Sequence, residues 1–236
     1  MVYVISDLHG YPAERFKELL AKAEFCDSDY LFVLGDVIDR NGDGGVGILQ
    51  YISKCGNIEL LMGNHEAMLL SCRFIFDEVT DESIEAFNAE KYELLAQYLS
   101  NGGSVTLAAF KKLRSESPEE AEDLLEYLEE LPLYDIVTVA GKDYLLVHSG
   151  IENFEKSKGL SQYLPEEFLW NRPSLGDEYF DKAVTVFGHT PTALYGDEYK
   201  GKIIKTRTWI NIDVGASFGL EPVLLRLDDM KEFRNN

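Results

Sequence analysis

The four histidines of this chain all lie in short segments that carry other potential metal ligands. Each histidine also belongs to or follows an apolar run, an association that random placement would not produce. The segments are Ser6-Asp7-Leu8-His9-Gly10, Gly63-Asn64-His65-Glu66, Tyr144-Leu145-Leu146-Val147-His148 and Val186-Phe187-Gly188-His189-Thr190. A fifth segment, Gly35-Asp36-Val37-Ile38-Asp39-Arg40, adds two carboxylates and a guanidinium.

These side chains suit a pair of divalent cations. Two such ions about 3.5–4 Å apart can clamp the attacking and leaving oxygens of an in-line phosphoryl displacement. Asp7 and His9 can point the same way where a strand gives way to a loop, and Asp36 is placed to bridge the ions. Because imidazole and carboxylate together suit first-row metals, we expect two divalent ions. Manganese is our first candidate, with iron or zinc as alternatives. The remaining candidate ligands are Asn64, His148 and His189.

His65 differs from the other histidines because it directly follows a candidate ligand, Asn64. Its side chain is then expected to point towards the leaving group, where a protonated imidazole can protonate the departing oxygen. Asp39 can hold that imidazole in place. None of the three cysteines belongs to a segment, so we expect direct attack by a hydroxide that bridges the two metals, without a covalent intermediate.

The charge expected at this site contrasts with that of the whole chain. The formal net charge is −20, which disfavours nucleic acid and anionic membranes as partners. Two divalent cations against Asp7 and Asp36 would instead leave the site positive, and Arg40 and Arg172 would add to this charge. Such a site suits the phosphate dianion of a phosphorylated protein or a small phosphoester. The sequence leaves the oligomeric state open.

Each segment has an ordinary structural interpretation when it is taken alone. Asn64 could be the N-cap of a helix, Gly188-His189-Thr190-Pro191 a turn, and Asp39-Arg40 a surface ion pair that contributes little. The order of the segments, their positions at strand ends and their use of every histidine together favour the catalytic interpretation. A metal-bound regulatory protein without turnover is the remote alternative, although none of the expected ligands is missing.

The first 62 residues predict three parallel strands, which end at the segments that contain Asp7, Asp36 and Asn64. Apolar runs at 2–5, 30–34 and 58–62 alternate with two helical patterns, and this βαβαβ order predicts an α/β fold. Ligands of such sheets bind beyond the carboxyl ends of the strands. Strands return between residues 136 and 227, with a hairpin turn at Gly141-Lys142-Asp143. A long excursion at 152–181 carries Arg172.

Residues 77–131 interrupt this order with a helical, acidic insertion, in what we predict to be a single domain of residues 1–236. Asn101-Gly102-Gly103 predicts a break between helices, and Ser117-Pro118-Glu119-Glu120 resembles a capping box. Eight carboxylates lie between Glu116 and Glu130 with no basic residue among them. A solvated helix face explains these carboxylates better than an interaction surface.

Composition favours a cytoplasmic location. The three cysteines are odd in number and lack CxxC spacing, which is typical of a reducing compartment. No apolar run approaches the roughly 18 residues needed to cross a bilayer, and residues 1–5 predict a strand rather than a leader.

The five segments together resemble the signature of the phosphoprotein phosphatase family of metallophosphoesterases. That signature runs Asp-X-His, Gly-Asp-X-X-Asp-Arg and Gly-Asn-His-Glu, followed by histidines in Val-His-(Ala/Ser)-Gly and Gly-His contexts. The resemblance implies a calcineurin-like β-sandwich of two mixed sheets flanked by helices. It also implies two metals that share Asp36, phosphate binding by two arginines, and an acid supported by a carboxylate. The implied residues are Asp7, His9 and Asp36 for one metal, Asp36, Asn64, His148 and His189 for the other, Arg40 and Arg172 for phosphate, and His65 and Asp39 for the acid and its support.

Two further segments, Asn211-Ile212-Asp213-Val214-Gly215-Ala216 and Tyr98-Leu99-Ser100-Asn101-Gly102-Gly103, resemble the bacterial and phage-type branch of that family. A sister group, the symmetrical diadenosine tetraphosphate hydrolases, tends to have Asp in place of Glu66 and usually lacks the Asp at position 39. Both differences favour a serine/threonine protein phosphatase, with dinucleoside polyphosphate hydrolysis as the alternative. One departure is Asn41, where the family usually has Gly, and Asn tolerates positive φ if that position needs it.

Overall fold

Two five-stranded mixed sheets form the centre of the fold. The computed structural model describes residues 1–235, except for the side chain of Ser83. The first sheet consists of β1 (Val2–Ile5), β2 (Tyr30–Val33), β3 (Ile58–Leu60), β9 (Leu224–Arg226) and β10 (Lys231–Phe233), in the order β10-β9-β1-β2-β3. The second consists of β4 (Tyr134–Val139), β5 (Lys142–Val147), β6 (Ala183–Phe187), β7 (Ile204–Lys205) and β8 (Trp209–Asn211), in the order β4-β5-β6-β8-β7.

The predicted βαβαβ unit is confirmed. β1 pairs with β2 and β2 with β3, both in parallel, and the helices α1 (Ala13–Lys22) and α2 (Val46–Ile52) connect them. β9 and β10 add antiparallel strands at the other edge, and β10 was not predicted. In the second sheet, β5, β6 and β8 run parallel, while β4 and β7 are antiparallel to their neighbours.

Successive side chains of a strand point to opposite faces of the sheet, which produces the layers of the core. Val4 of β1 packs between the two sheets with Leu146 and Val186. Its neighbours Tyr3 and Ile5 face the helices instead. The outer face of the second sheet is covered by residues from the 152–181 excursion, which holds that excursion against the strand ends.

Helices fill the region between the third and fourth strands. They are α3 (Asn64–Ser71), α4 (Asp81–Glu85), α5 (Ala89–Ser100), α6 (Ser104–Glu116) and α7 (Pro118–Glu129), so the predicted break at 101–103 is present. Pro118 is the first residue of α7, but the Ser117 side chain makes no capping hydrogen bond, and its ψ of 83° departs from the usual extended cap. The predicted capping box is therefore wrong. Of the described helices, none is long and apolar enough to span a membrane.

The hairpin between β4 and β5 turns one residue earlier than predicted. Ala140 and Gly141 form the turn, with φ of 49° and 79°, which is the left-handed geometry of tight hairpins. Lys142 and Asp143 instead pair with Val139 and Thr138 in the ladder.

Candidate metal and phosphate site

The loops that follow β1, β2, β3, β5 and β6 meet at one edge of the two sheets. Backbone hydrogen bonds tie them together, including those from Asp7 N to Gly35 O (3.2 Å) and from His9 N to Asp36 O (2.9 Å). A Cβ on Gly188 would clash with the Asp7 carboxylate, so only glycine allows this approach. Left-handed φ values between 42° and 74° concentrate here, as backbone strain does at functional sites. They belong to Asp7, His9, Asp36, Asp39, Arg40 and His189.

Asp36 lies between two imidazoles. Its Oδ2 is 3.5 Å from His9 Nε2, and its Oδ1 is 3.4 Å from His148 Nε2. The side chains of all three residues are buried. One carboxylate therefore faces two separate nitrogen donors, as a bridging ligand would.

Hydrogen bonds at the far side of each ring determine which nitrogen faces Asp36. His9 Nδ1 lies 3.1 Å from Ile38 O, and His148 Nδ1 lies 2.8 Å from Leu34 O. Because a carbonyl oxygen only accepts, both Nδ1 atoms must donate, and each neutral ring presents a bare Nε2 to the cluster. This is the arrangement in which metal-ligating histidines are commonly held.

Further acceptors converge on the same point. Asn64 Oδ1 lies 2.9 Å from His148 Nε2 and 2.8 Å from His189 Nδ1. His189 Nε2 is buried and has no hydrogen-bond partner among the described residues. Since Asn64 Oδ1 and the bare Nε2 of His148 are both acceptors, their proximity favours a cation between them.

Two groups of side chains bring their ligand atoms within 4.8 Å of one another. One consists of His9, Asp36 and His65, and the other of Asp36, His148 and His189. Asp7 lies in neither group, and both of its oxygens accept the His189 backbone N–H, at 2.9 and 3.0 Å. The first group thus includes His65, the predicted acid, beside His9 and Asp36, and the assignment of Asp7 as a ligand stays a prediction.

The electrostatics of the polypeptide alone are unfavourable for these carboxylates. Burial raises the pKa of Asp36 well above its ordinary value, and burial with repulsion from Asp213 raises that of Asp7. Burial and neighbouring positive groups lower the pKa values of His9 and His189 far below the ordinary range. A divalent cation would offset the cost of burying ionised carboxylates, and it binds imidazole in the neutral form that these low pKa values favour. The donor set therefore fits a metal.

A pocket of about 160 Å³ opens over this cluster and contains both predicted phosphate-binding arginines. Arg172 reaches it from the 152–181 excursion and donates from Nη1 to His189 O at 3.3 Å. The predicted site residues in its lining are His9, Asp36, Arg40, Asn64, Arg172 and His189. Other lining residues, which had no predicted role, include Asn101, Trp170, Asp213 and Ser217.

Asp213 is the most unusual of the unpredicted residues. It is buried, its Oδ1 accepts from Gly215 N at 2.9 Å, and burial raises its pKa to about 7. Its only signal in the sequence was its place in Asn211-Ile212-Asp213-Val214-Gly215-Ala216, and Asn101 likewise lay in the other segment of the bacterial branch.

His65 is held between a carboxylate and a guanidinium. Its Nδ1 lies 2.6 Å from Asp39 Oδ2, and its Nε2 lies 3.0 Å from Arg40 Nη2. Burial lowers the pKa of His65, but the Asp36 charge and the Asp39 hydrogen bond outweigh burial and raise that pKa. The Arg40 contact and the raised pKa oppose each other. Arg40 can donate only to an unprotonated Nε2, whereas the neighbouring carboxylates favour a ring that is protonated on both nitrogens.

Glu66, which had no predicted role in the site, anchors the loop after β2. It is fully buried, and its Oε2 accepts from Asp36 N (2.9 Å) and Gly63 N (3.1 Å). Its Oε1 accepts from Val37 N (2.9 Å) and Ile38 N (3.3 Å). The available signal was its third position in α3, where an acidic side chain commonly reaches back to cap the helix.

Asn41 does not have a positive φ, although Arg40 before it and Gly42 after it do. Its Nδ2 donates to His9 O at 3.2 Å instead. The departure from the family pattern at this position therefore concerns a side-chain contact and not a backbone conformation.

The model of the calcineurin-like phosphoesterase family matches residues 1–212. This chain belongs to the calcineurin-like phosphoesterase family. The fold predicted from the five segments is thereby confirmed, and the buried His and Asp groups that suit divalent metals agree with membership of this family.

A curated relative, the symmetrical bis(5'-nucleosyl)-tetraphosphatase of Salmonella typhimurium, is 39% identical over 71 residues. That match covers 29% of this chain and 24% of the relative, so it spans about a quarter of the relative's length. The match therefore relates part of each chain, and the activity of the whole relative does not follow from it.

Solved structures share the fold at low identity. A candidate diadenosine tetraphosphatase has a TM-score of 0.62 at 18% identity, covering 99% of this chain and 92% of that chain. A protein serine/threonine phosphatase from Saccharomyces cerevisiae has a TM-score of 0.51 at 16% identity, covering 94% and 71%. These likenesses show the fold alone.

Proposed function

We propose that this phosphoesterase is a metal-dependent phosphomonoesterase that acts on phosphoserine and phosphothreonine in proteins. The proposal depends chiefly on one observation: His65 lies between Asp39 and Arg40, beside a buried cluster of nitrogen and oxygen donors. An acid, a phosphate-binding group and a metal-suited donor set thus share one site.

The proposed metal ligands follow from the donor atoms that face the cluster. Divalent cations bound there, with manganese as our first candidate, would supply a water-derived nucleophile near neutral pH and neutralise charge on the phosphoryl group. One set is His9 and Asp36 with Asp7, whose carboxylate adjoins the His189 backbone. The other set is Asp36, Asn64, His148 and His189.

Arg40 and Arg172 are proposed to bind the substrate phosphate. Both line the pocket, and a planar guanidinium can donate two parallel hydrogen bonds to phosphate oxygens. The chain is otherwise strongly acidic, so these two side chains provide local positive charge for an anionic substrate.

His65 is proposed to protonate the leaving oxygen. Without substrate, the Arg40 guanidinium donates a hydrogen bond to Nε2 of His65. Phosphate in the pocket would draw the guanidinium towards its oxygens and free Nε2 to carry a proton, which resolves the opposition between the Arg40 contact and the raised pKa. Asp39 Oδ2 accepts a hydrogen bond from Nδ1–H throughout and stabilises the imidazolium that donates its proton from Nε2.

Removal of metal tests the proposal. Phosphate release from a phosphoserine peptide should be lost after chelation and should return when manganese is added, with magnesium and calcium as comparison ions. Full activity in a preparation shown to be free of metal by elemental analysis would contradict the metal-dependent mechanism.

A symmetrical dinucleoside polyphosphate hydrolase is the second candidate, supported by the 71-residue match to such an enzyme. The ratio of kcat/KM for the phosphoserine peptide to kcat/KM for diadenosine tetraphosphate separates the two. A ratio above one supports the phosphatase, and a ratio far below one supports the hydrolase. Metal binding with no turnover of either substrate or of p-nitrophenyl phosphate would support the non-catalytic alternative.

A further inference from the structure

Asp39, which supports His65, is itself held by two side chains of the helical insertion. It is fully buried, and its Oδ2 faces His65 Nδ1. Its Oδ1 accepts from Tyr98 OH at 2.7 Å and from Thr106 Oγ1 at 2.6 Å. Tyr98 belongs to α5 and Thr106 to α6, and both are fully buried.

The backbone ties the insertion to the same loop. Asp39 N donates to Thr106 Oγ1 at 2.9 Å, and Arg40 N donates to Gly102 O at 3.1 Å. A Cβ on Gly103 would clash with the Tyr98 ring, so glycine at that position allows the α5–α6 connection to pack over the tyrosine. The break between α5 and α6 therefore contacts the backbone of Arg40, the residue that carries the proposed phosphate-binding guanidinium.

These contacts determine how the Asp39 carboxylate is oriented. Two hydroxyl donors on Oδ1 leave Oδ2 as the oxygen that faces His65. If a donor is removed, a buried carboxylate oxygen loses a charge-assisted hydrogen bond, and the carboxylate can rotate away from the imidazole. Catalytic geometry is sensitive to such changes, since a displacement of about 1 Å can reduce a rate by roughly 100-fold.

We infer that Tyr98 and Thr106 are positioning residues that hold the Asp39–His65 pair in its proton-donating geometry. The helical insertion is then a part of the catalytic apparatus and not only a solvated addition to the fold. This inference rests on the proposed function, specifically on His65 as the proton donor.

The readout is the ratio of kcat for phosphoserine to kcat for p-nitrophenyl phosphate. An alkyl leaving group needs a proton, whereas p-nitrophenolate leaves readily without one. A change that merely lowers the amount of folded protein reduces both rates equally and leaves this ratio unchanged. Tyr98→Phe should lower the ratio about tenfold, a part of the roughly 10²–10⁴-fold that general acid catalysis contributes.

Two variants provide controls for the loss of the hydroxyls. Tyr3→Phe removes another fully buried tyrosine hydroxyl, one that donates to Ala23 O at 3.2 Å far from the site, and should leave the ratio unchanged. Thr106→Val should lower the ratio, while Thr106→Ser, which keeps the hydroxyl, should retain it. Metal content, measured by elemental analysis, should be unchanged in Tyr98→Phe.

His65→Asn separates the failure of this inference from that of the proposed function. If His65→Asn lowers the ratio while Tyr98→Phe and Thr106→Val leave it at the wild-type value, the positioning role is wrong and the acid role stands. If His65→Asn itself leaves the ratio unchanged, the proposed acid is wrong. A lower ratio in Tyr98→Phe and Thr106→Val, restored in Thr106→Ser, supports the inference.

Discussion

Replacement of Glu66 by Gln tests whether a single buried carboxylate holds the loop that carries Asp36. Each of its oxygens accepts two backbone N–H groups, those of Asp36 and Gly63 on one oxygen and those of Val37 and Ile38 on the other. Gln keeps the length of Glu, but its NH₂ group must face two donors whichever way it is turned. At least two of the four hydrogen bonds are therefore lost.

The expected loss of stability is large. A hydrogen bond to a charged group contributes about 1.5–3 kcal/mol, so two of them amount to about 3–6 kcal/mol. The whole free energy of unfolding of a domain is about 5–15 kcal/mol. Glu66→Gln should therefore be marginally folded, and it should bind metal weakly, because Asp36 and the residues after it lose their anchor.

Urea unfolding in the presence of a chelator measures this effect without a contribution from bound metal. Glu178→Gln is the matched control, since Glu178 is exposed and pairs with Arg207 at the surface, where such pairs contribute about 0–1 kcal/mol. If Glu66→Gln unfolds with a free energy within about 1 kcal/mol of the wild type, the four hydrogen bonds do not anchor the loop and the reasoning is refuted.

Three further outcomes are expected. His65→Asn should retain metal and lose more turnover of phosphoserine than of p-nitrophenyl phosphate, and loss of metal or equal losses on the two substrates would contradict its role as the acid. Arg40→Lys and Arg172→Lys keep the charge but remove the planar fork, so KM should rise roughly tenfold; wild-type constants in Arg172→Lys would exclude that residue from the site. A substrate made chiral at phosphorus with oxygen isotopes should be hydrolysed with inversion, because no described cysteine lines the pocket; net retention would indicate a covalent intermediate, for which Ser217 is the pocket hydroxyl to test.

The strands and the segments at their ends could be predicted because both are local features of the sequence. Apolar runs form the parallel strands, and parallel strands place their carboxyl ends at one edge, so Asp36 and Asn64 had to lie near each other. Strand β10 was not predicted because Lys231–Phe233 is short and carries two charged residues, and it lies at the edge of the sheet beside β9.

The contacts of Asp7 could not be predicted to the same depth. Its spacing from His9 predicts a shared metal, which stays a prediction, but this spacing does not show which backbone group the carboxylate meets. In the structure the Asp7 carboxylate accepts the backbone N–H of His189, a contact between residues 182 positions apart. The sequence carries no local signal for such a contact, because it depends on how the two sheets pack against each other.

The contacts of the helical insertion with the site also depend on the tertiary fold. Its helices and the break at 101–103 follow from local apolar spacing and from two glycines, and its acidic residues were attributed to a solvated face. Tyr98 and Thr106 resemble ordinary helix residues in the sequence, yet each hydroxyl donates to a carboxylate at least 59 positions away. Whether a side chain completes a buried polar network depends on the partner that the tertiary fold places beside it. Helical spacing indicates only that the side chain faces inwards. A catalytic contribution from an acidic, helical insertion therefore becomes visible only when the fold brings Asp39 against it.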